Sequence, residues 1–327
     1  MRTAACCLAL ALAAPLHAQT APADDFAVPG WAVPNTAAPK YGPDVAAMRH
    51  TIPGSRATFT RAEIDDRFRS VDWFPRTHVP APHVVTHGRA PGVLACAFCH
   101  LPDGSGRPEN AMLAGLPKEY IVRQMSDFHS RARRNPGDAS YLPGDLMRGI
   151  ADSIATQEVE TAARYFSRLR PRGKTRVVEA DTIPRPVAGL GLHFAARDGS
   201  REPLGRRLIE MPNDIERHEL RDPNVRYTAY VPRGSIARGR AIATRGLGQA
   251  TPACVTCHGP RLRGTDTIPA LAGRAPSSLL RQLIAFRTGT RASAQAAPMR
   301  ALAATLSLDD MIAAAAYAGS LSPMRAR

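Results

Sequence analysis

Cys96-Ala-Phe-Cys99-His100 and Cys254-Val-Thr-Cys257-His258 are two copies of one pattern, a pair of cysteines three positions apart followed at once by histidine. Two thiols on one helical turn can add to two vinyl groups along one edge of a porphyrin. The histidine that follows is then carried under the iron and supplies an imidazole nitrogen. Other chemistries use the pattern less completely. A single structural zinc held by the four cysteines leaves both histidines without a role. A thioredoxin-like dithiol needs a strand–helix–strand setting, and the flanks here carry helical periodicity. A disulfide framework is an option in an oxidising compartment, although four cysteines are few for a chain of 327 residues. Covalent haem accounts for every residue of the pattern. The expected cofactors are therefore two covalently attached c-type haems, one on Cys96 and Cys99 and one on Cys254 and Cys257, with His100 and His258 as axial ligands.

The motifs sit inside a longer repeat. At a shift of 158 positions Leu113-Ala114-Gly115 falls on Leu271-Ala272-Gly273, Arg123-Gln124 on Arg281-Gln282, Phe128 on Phe286 and Arg133 on Arg291. Ile121, Met125 and Phe128, matched by Leu279, Leu283 and Phe286, form the i, i+4, i+7 stripe of an amphipathic helix. Further on, the shift falls to 152, so that Met147 meets Met299 and Tyr165 meets Tyr317. A thioether is a soft sixth ligand suited to electron transfer, whereas a lone methionine usually only fills a core. Met112, Met125 and Met311 meet Ala270, Leu283 and Val159 in the other copy and read as core. Met147 and Met299 recur, each just before a closing helix, and are the expected distal ligands.

This order of motif, Leu-Ala-Gly, Arg-Gln…Phe helix, methionine and final tyrosine-bearing helix resembles class I cytochrome c. Its double occurrence resembles the two-haem periplasmic cytochromes of proteobacteria. The resemblance covers about 85–170 and 232–325 and implies an all-α fold, two class I cytochrome c domains in tandem, each with a helix before the motif that crosses the last helix. In the second copy that helix fits Ser235 to Thr244. There Gly239 is the small residue of the crossing, opposite Tyr317, and Pro269 takes the place of the proline whose carbonyl orients the proximal imidazole. The first copy departs from the pattern: Ala111 replaces that proline, and residues 83–91 do not read as a helix. A substitute is expected at about 60–69, opened by the capping box Thr60-Arg-Ala-Glu63 with Ile64 and Phe68 one turn apart.

The remaining segments complete the expected organisation. Arg2, the apolar run Ala4–Ala14 and Leu16-His17-Ala18 read as a signal peptide over 1–18, since about eleven apolar residues are too few for a span that needs roughly 20. An extended N-terminal arm over 19–84, cytochrome domain 1 over 85–170, an irregular inter-domain connection over 171–231 and cytochrome domain 2 over 232–327 follow. The connection contains Pro184, Pro186, Pro203, Pro212 and Pro223. His83 and His87 are the alternative ligands if the first iron is bis-histidine.

These features imply a periplasmic carrier that passes single electrons between redox partners. The alternatives are an electron-transfer subunit of a dehydrogenase or oxidase complex and a dihaem peroxidase-like enzyme. Thiosulfate-oxidising dihaem cytochromes with a cysteine distal ligand are disfavoured, because no cysteine is left over after export and attachment. With 43 basic and 28 acidic side chains the formal charge is +15, which favours redox partner proteins with acidic docking surfaces, a membrane-bound oxidase or dehydrogenase among them. Nucleic acid is excluded as a partner of an exported haem protein.

Overall fold

The computed structural model describes residues 26–36, 43–249 and 251–323. The signal peptide expected over 1–18 and the start of the arm lie outside the described residues.

The second copy is built on a helix crossing. Ser235–Arg245 lies across the closing helix Leu308–Ser320, which opens on a capping box between Ser307 and Asp310. Gly239 makes the crossing possible, because a Cβ there would stand 1.9 Å from the Ala313 carbonyl oxygen. Ile242, Met311, Ile312, Ala315 and Ala316 form the core of this copy with Leu280 and Ile284 from helix Pro276–Arg287. Helix Ala297–Ala304 packs on that last helix.

In the first copy the corresponding elements are the motif helix Cys96–His100, then Lys118–His129, Leu142–Ser153 and the closing helix Thr156–Arg168. Ala162, Ala163 and Phe166 pack against Ile121 and Leu116. A long crossing helix is replaced by one turn, His83–Thr86, whose Val84 and Val85 enter this core. That turn is a correction to the non-helical reading of 83–91. Pro80 and Pro82 push Val79 and Ala81, the residues before them, out of the helical region, so the helix is kept to one turn after Pro82.

The capping box at Thr60 forms as expected, with the Thr60 amide donating to the Glu63 carboxylate at 2.7 Å. Its helix, however, is only Arg61–Asp65, because the Asp66 side chain accepts from the Phe68 amide and turns the chain away. Ile64 packs with Ile52, Val71, Trp73 and Leu220 and does not join the core of the first copy.

The connection also differs from expectation. The two repeats keep a helical framework, but residues 171–231 contain strands, so the chain as a whole is not all-α. Thr175–Glu179 pairs in parallel with Tyr227–Val231, which pairs antiparallel with Ile209–Pro212. Two short ribbons join Thr182–Pro184 to Arg201–Pro203 and Pro186–Ala188 to His193–Ala195. Tyr227, Ala229 and Val231 point inward, the period-2 alternation of a half-buried strand. Pro184, Pro186, Pro203 and Pro212 occupy strand ends, where a missing donor is tolerated, and Pro223 lies in the turn before Tyr227–Val231.

Among the described residues no single helix is long and apolar enough to cross a membrane. The bent pair Ala294–Ala304 and Leu308–Ser320 passes by composition but turns by 115°. Ala303, Met311 and Ile312 from that pair are buried inside the protein.

Candidate functional site

Each motif forms one helical turn, and each histidine is buried beneath it. His100 Nδ1 lies 2.7 Å from the Ala111 carbonyl oxygen and His258 Nδ1 lies 2.9 Å from that of Pro269. The carbonyl can only accept, so Nδ1 carries the hydrogen and Nε2 presents its lone pair for coordination. The acceptor is a main-chain oxygen, which explains why alanine serves in the first copy where the resemblance expects proline. Burial pushes both imidazoles below the ordinary histidine range and so favours the neutral form that a metal needs.

Cys96, Cys99, Cys254 and Cys257 form no disulfide, which leaves their sulfurs for attachment. Burial raises the thiols of the first three, Cys96 to about 12. Cys257 is exposed. Met147 and Met299 are half-buried, the first in Leu142–Ser153, which packs on Lys118–His129, and the second in Ala297–Ala304, beside Phe286, Ala296 and Ala303. Met112 and Met311 are core residues. His83 and His87 stack on one another with ring centroids 4.8 Å apart, and His87 Nδ1 is hydrogen-bonded to the Thr86 hydroxyl.

The repeat also predicted matched arginines but not where they would meet. Arg133 and Arg291 lie side by side where the two copies abut, with Arg134 N donating to Thr290 O and Ala292 N to Ala132 O at 2.7 Å each. Each guanidinium sits 4.5 Å over the phenylalanine of its own copy, Arg133 over Phe128 and Arg291 over Phe286. Arg133 donates to Gln124 and Gln282 at 2.9 and 3.0 Å, and Arg291 donates to Gln282 and Gln124 at 3.1 and 2.6 Å. Burial, reinforced by Arg291, pulls Arg133 down to about 9. Arg291 Nε is buried without a partner. Arg291 also donates to the Tyr120 hydroxyl at 2.8 Å, and two neighbouring cations, one buried and one half-buried, held by neutral amides and a phenol would suit an anion between them. Arg281, the repeat partner of Arg123, is instead spent on the Ala32 and Pro108 carbonyls.

This donor set fits a haem in each copy. A pair of free thiols could attach it, an imidazole with a bare Nε2 could hold its iron, and the paired arginines could receive its carboxylates.

No family model matches the chain. A thiosulfate dehydrogenase electron acceptor of Thiomonas intermedia is 27% identical over 204 residues, 62% of this chain and 66% of that protein. Cytochrome c4 of Azotobacter vinelandii is 26% identical over 226 residues, 68% of this chain and 82% of that one. Among solved structures, thiosulfate dehydrogenase (TsdBA) of Marichromatium purpuratum aligns at a TM-score of 0.48 with 27% identity, over 70% of this chain and 37% of that chain. This chain thus spans just under two thirds of the first relative's length. By its doubled motif and by these relatives the chain is similar to dihaem c-type cytochromes of the class I kind. Its two motifs are those of two covalently bound haems, and the relatives it matches are named as a cytochrome and an electron acceptor.

Proposed function

We propose that the protein is an exported electron carrier that accepts single electrons from a dehydrogenase of a small inorganic anion and passes them to a second redox protein. The bound haem supplies a reversible one-electron couple. Cys96 and Cys99 tether the first and Cys254 and Cys257 the second. His100 and His258 would hold the irons through Nε2, their rings fixed by the carbonyls of Ala111 and Pro269. Met147 and Met299 would supply the second ligand in each copy. Iron held by both imidazole and thioether would have no coordination position left for a substrate, which is the property of a carrier. Arg133 and Arg291 neutralise carboxylates at the junction of the two copies and so bring the two sites to one boundary. The observation that carries the reading is the duplicated clasp, a motif helix whose histidine is pinned by a carbonyl eleven residues further on in both copies.

The donor class follows from the relatives named as thiosulfate dehydrogenase electron acceptors. Placement in the periplasm follows from the signal-like run over 1–18. The basic surface favours acidic docking faces on both partners.

The purified full-length holoprotein tests the ligands. Met147→Ala and Met299→Ala should each remove about half of the weak sulfur-to-iron charge-transfer band of the oxidised protein. The double variant should lose it and bind carbon monoxide when reduced. A band unchanged in both single variants would overturn the assignment.

A further inference from the structure

The two copies share a motif but not its surroundings. In the first, the chain from Phe98 to Glu109 is largely covered: Phe98 is 8% exposed, and Asp103, Ser105 and Glu109 are buried. At the shift of 158 the second copy presents Thr256, Cys257, Arg261, Thr265 and Asp266 to solvent. The cover is the connection. Arg221 lays its guanidinium 3.5 Å over the Phe98 ring, donates to the Phe98 carbonyl at 2.8 Å and ties down the Ile64 carbonyl at 2.9 Å. Lys174 donates to Ser105 Oγ at 3.1 Å and to the Gly106 carbonyl at 2.6 Å. Among the described residues, hydrogen bonds in the matching loop of the second copy stay within that copy, from Gly264 to His258 and from Thr265 to Ile268.

We propose that the protein docks its redox partner on the second copy, around Cys257, and that the folded connection closes the matching face of the first. The occupant is an acidic one-electron redox protein. Arg245 and Arg261 are exposed on either side of the motif in sequence, Asp266 is the one exposed acid of the loop that follows it, and Leu247, 46% exposed, adds an apolar contact just before it. Exposed arginines flanking the motif, with one exposed apolar side chain among them in sequence, suit a transient acidic partner, with charge setting the encounter rate. One electron crosses there and no bond is made or broken: the partner is oxidised by one equivalent and the second copy's iron is reduced by one. The first copy then exchanges electrons through the second. This placement rests on the carrier reading given above.

The test uses holoprotein of the full chain and flavodoxin, an acidic one-electron protein, as probe. Reduced flavodoxin reports transfer by stopped-flow absorbance, and isotope-labelled oxidised flavodoxin reports binding by NMR titration without any transfer. Arg245→Glu with Arg261→Glu should lower the second-order rate constant about tenfold at low salt and weaken the titration in parallel. The charge-matched pair Arg176→Glu with Arg197→Glu, on exposed positions of the connection, should change both less than about threefold. Equal effects of the two pairs, or no effect of the first, would overturn the proposal. A wild-type holoprotein that takes no electron from flavodoxin or from dithionite would overturn the carrier reading instead, and the titration would still decide where the partner sits.

Discussion

Gly239 offers the sharpest test of the helix crossing on which the second copy is built. A Cβ at this position would lie 1.9 Å from Ala313 O, 2.6 Å from Ala313 C and 2.8 Å from Tyr317 Cβ. Ordinary contact begins near 3.4 Å, so the helices Ser235–Arg245 and Leu308–Ser320 must part by about 1.5 Å to admit one methyl group. The obstructing atoms are main chain and cannot rotate aside. Overpacking of this kind costs about 1–3 kcal/mol, and a backbone clash belongs at the upper end. The better helix propensity of alanine returns about 1 kcal/mol, which leaves a net loss of about 2 kcal/mol for Gly239→Ala. For a cooperative unit of 150–250 residues this lowers Tm by roughly 4–8 °C. Gly149 is the internal control. It lies within helix Leu142–Ser153 with nothing inside 4 Å of its Cβ position, so Gly149→Ala should stabilise by about 0.5–1 kcal/mol. Scanning calorimetry of the two holoproteins should therefore show shifts of opposite sign. A Gly239→Ala protein that melts at or above the wild-type temperature would refute the close crossing.

Two further outcomes follow from the connection. Arg221→Lys keeps the charge but loses the planar stack on Phe98 and at least one of two carbonyl bonds, so it should cost about 2 kcal/mol and raise hydrogen exchange in Cys96–His100; unchanged protection there would show that the connection does not hold the motif. Burial pulls His193 down to about 4 and His218 to about 3. The unfolded chain protonates these histidines below about 6.5 while the folded chain does not, so their stabilisation is complete above pH 6.5 and is lost as pH falls towards 4, by roughly 1.4 kcal/mol per pH unit for each group. Tm measured from pH 7 to 5 should fall less steeply in His218→Gln than in wild type, and parallel slopes would show that His218 is not buried neutral.

The site was more legible than the fold around it. The Cys and His positions of the two motifs are set by the chemistry of attachment, so their spacing stands out in the primary structure, and the repeat supplied an internal alignment that brought Met147 to Met299. The crossing at Gly239 was legible for a related reason: only a residue without Cβ meets the geometric demand. The first copy was read less well, because a single turn such as His83–Thr86 leaves no periodicity to detect. Helix Arg61–Asp65 was found through its capping box, but a local signal says nothing of destination, and Ile64 packs on Trp73 and Leu220 instead of the first copy. The connection was misread through its prolines. Its strands are three to five residues long, and three of them end at proline, so alternation is too brief to outweigh the breaker signal.

The departures in the first copy and the folding of the connection answer one another. The second copy places the eleven-residue helix Ser235–Arg245 ahead of its motif and packs it on the closing helix, which buries Ser235, Gly239, Ile242 and Ala243. The first has four helical residues there and buries Val84 and Val85. A domain of about 90 residues has little core to spare, so such a loss requires another source of burial. The connection supplies it with Arg221 on Phe98, Trp73 Nε1 donating to Leu220 O at 2.8 Å, and Lys174 on the loop after His100. Burial lowers Lys174 to about 8, and a buried ammonium is costly compared with an apolar side chain of the same size. A purely adhesive contact would not need it. Its two acceptors, Ser105 Oγ and the Gly106 carbonyl, lie between His100 and the Ala111 carbonyl that orients it. Lys174 is therefore placed to fix the path of the chain that sets the imidazole, a constraint that an apolar residue could not impose.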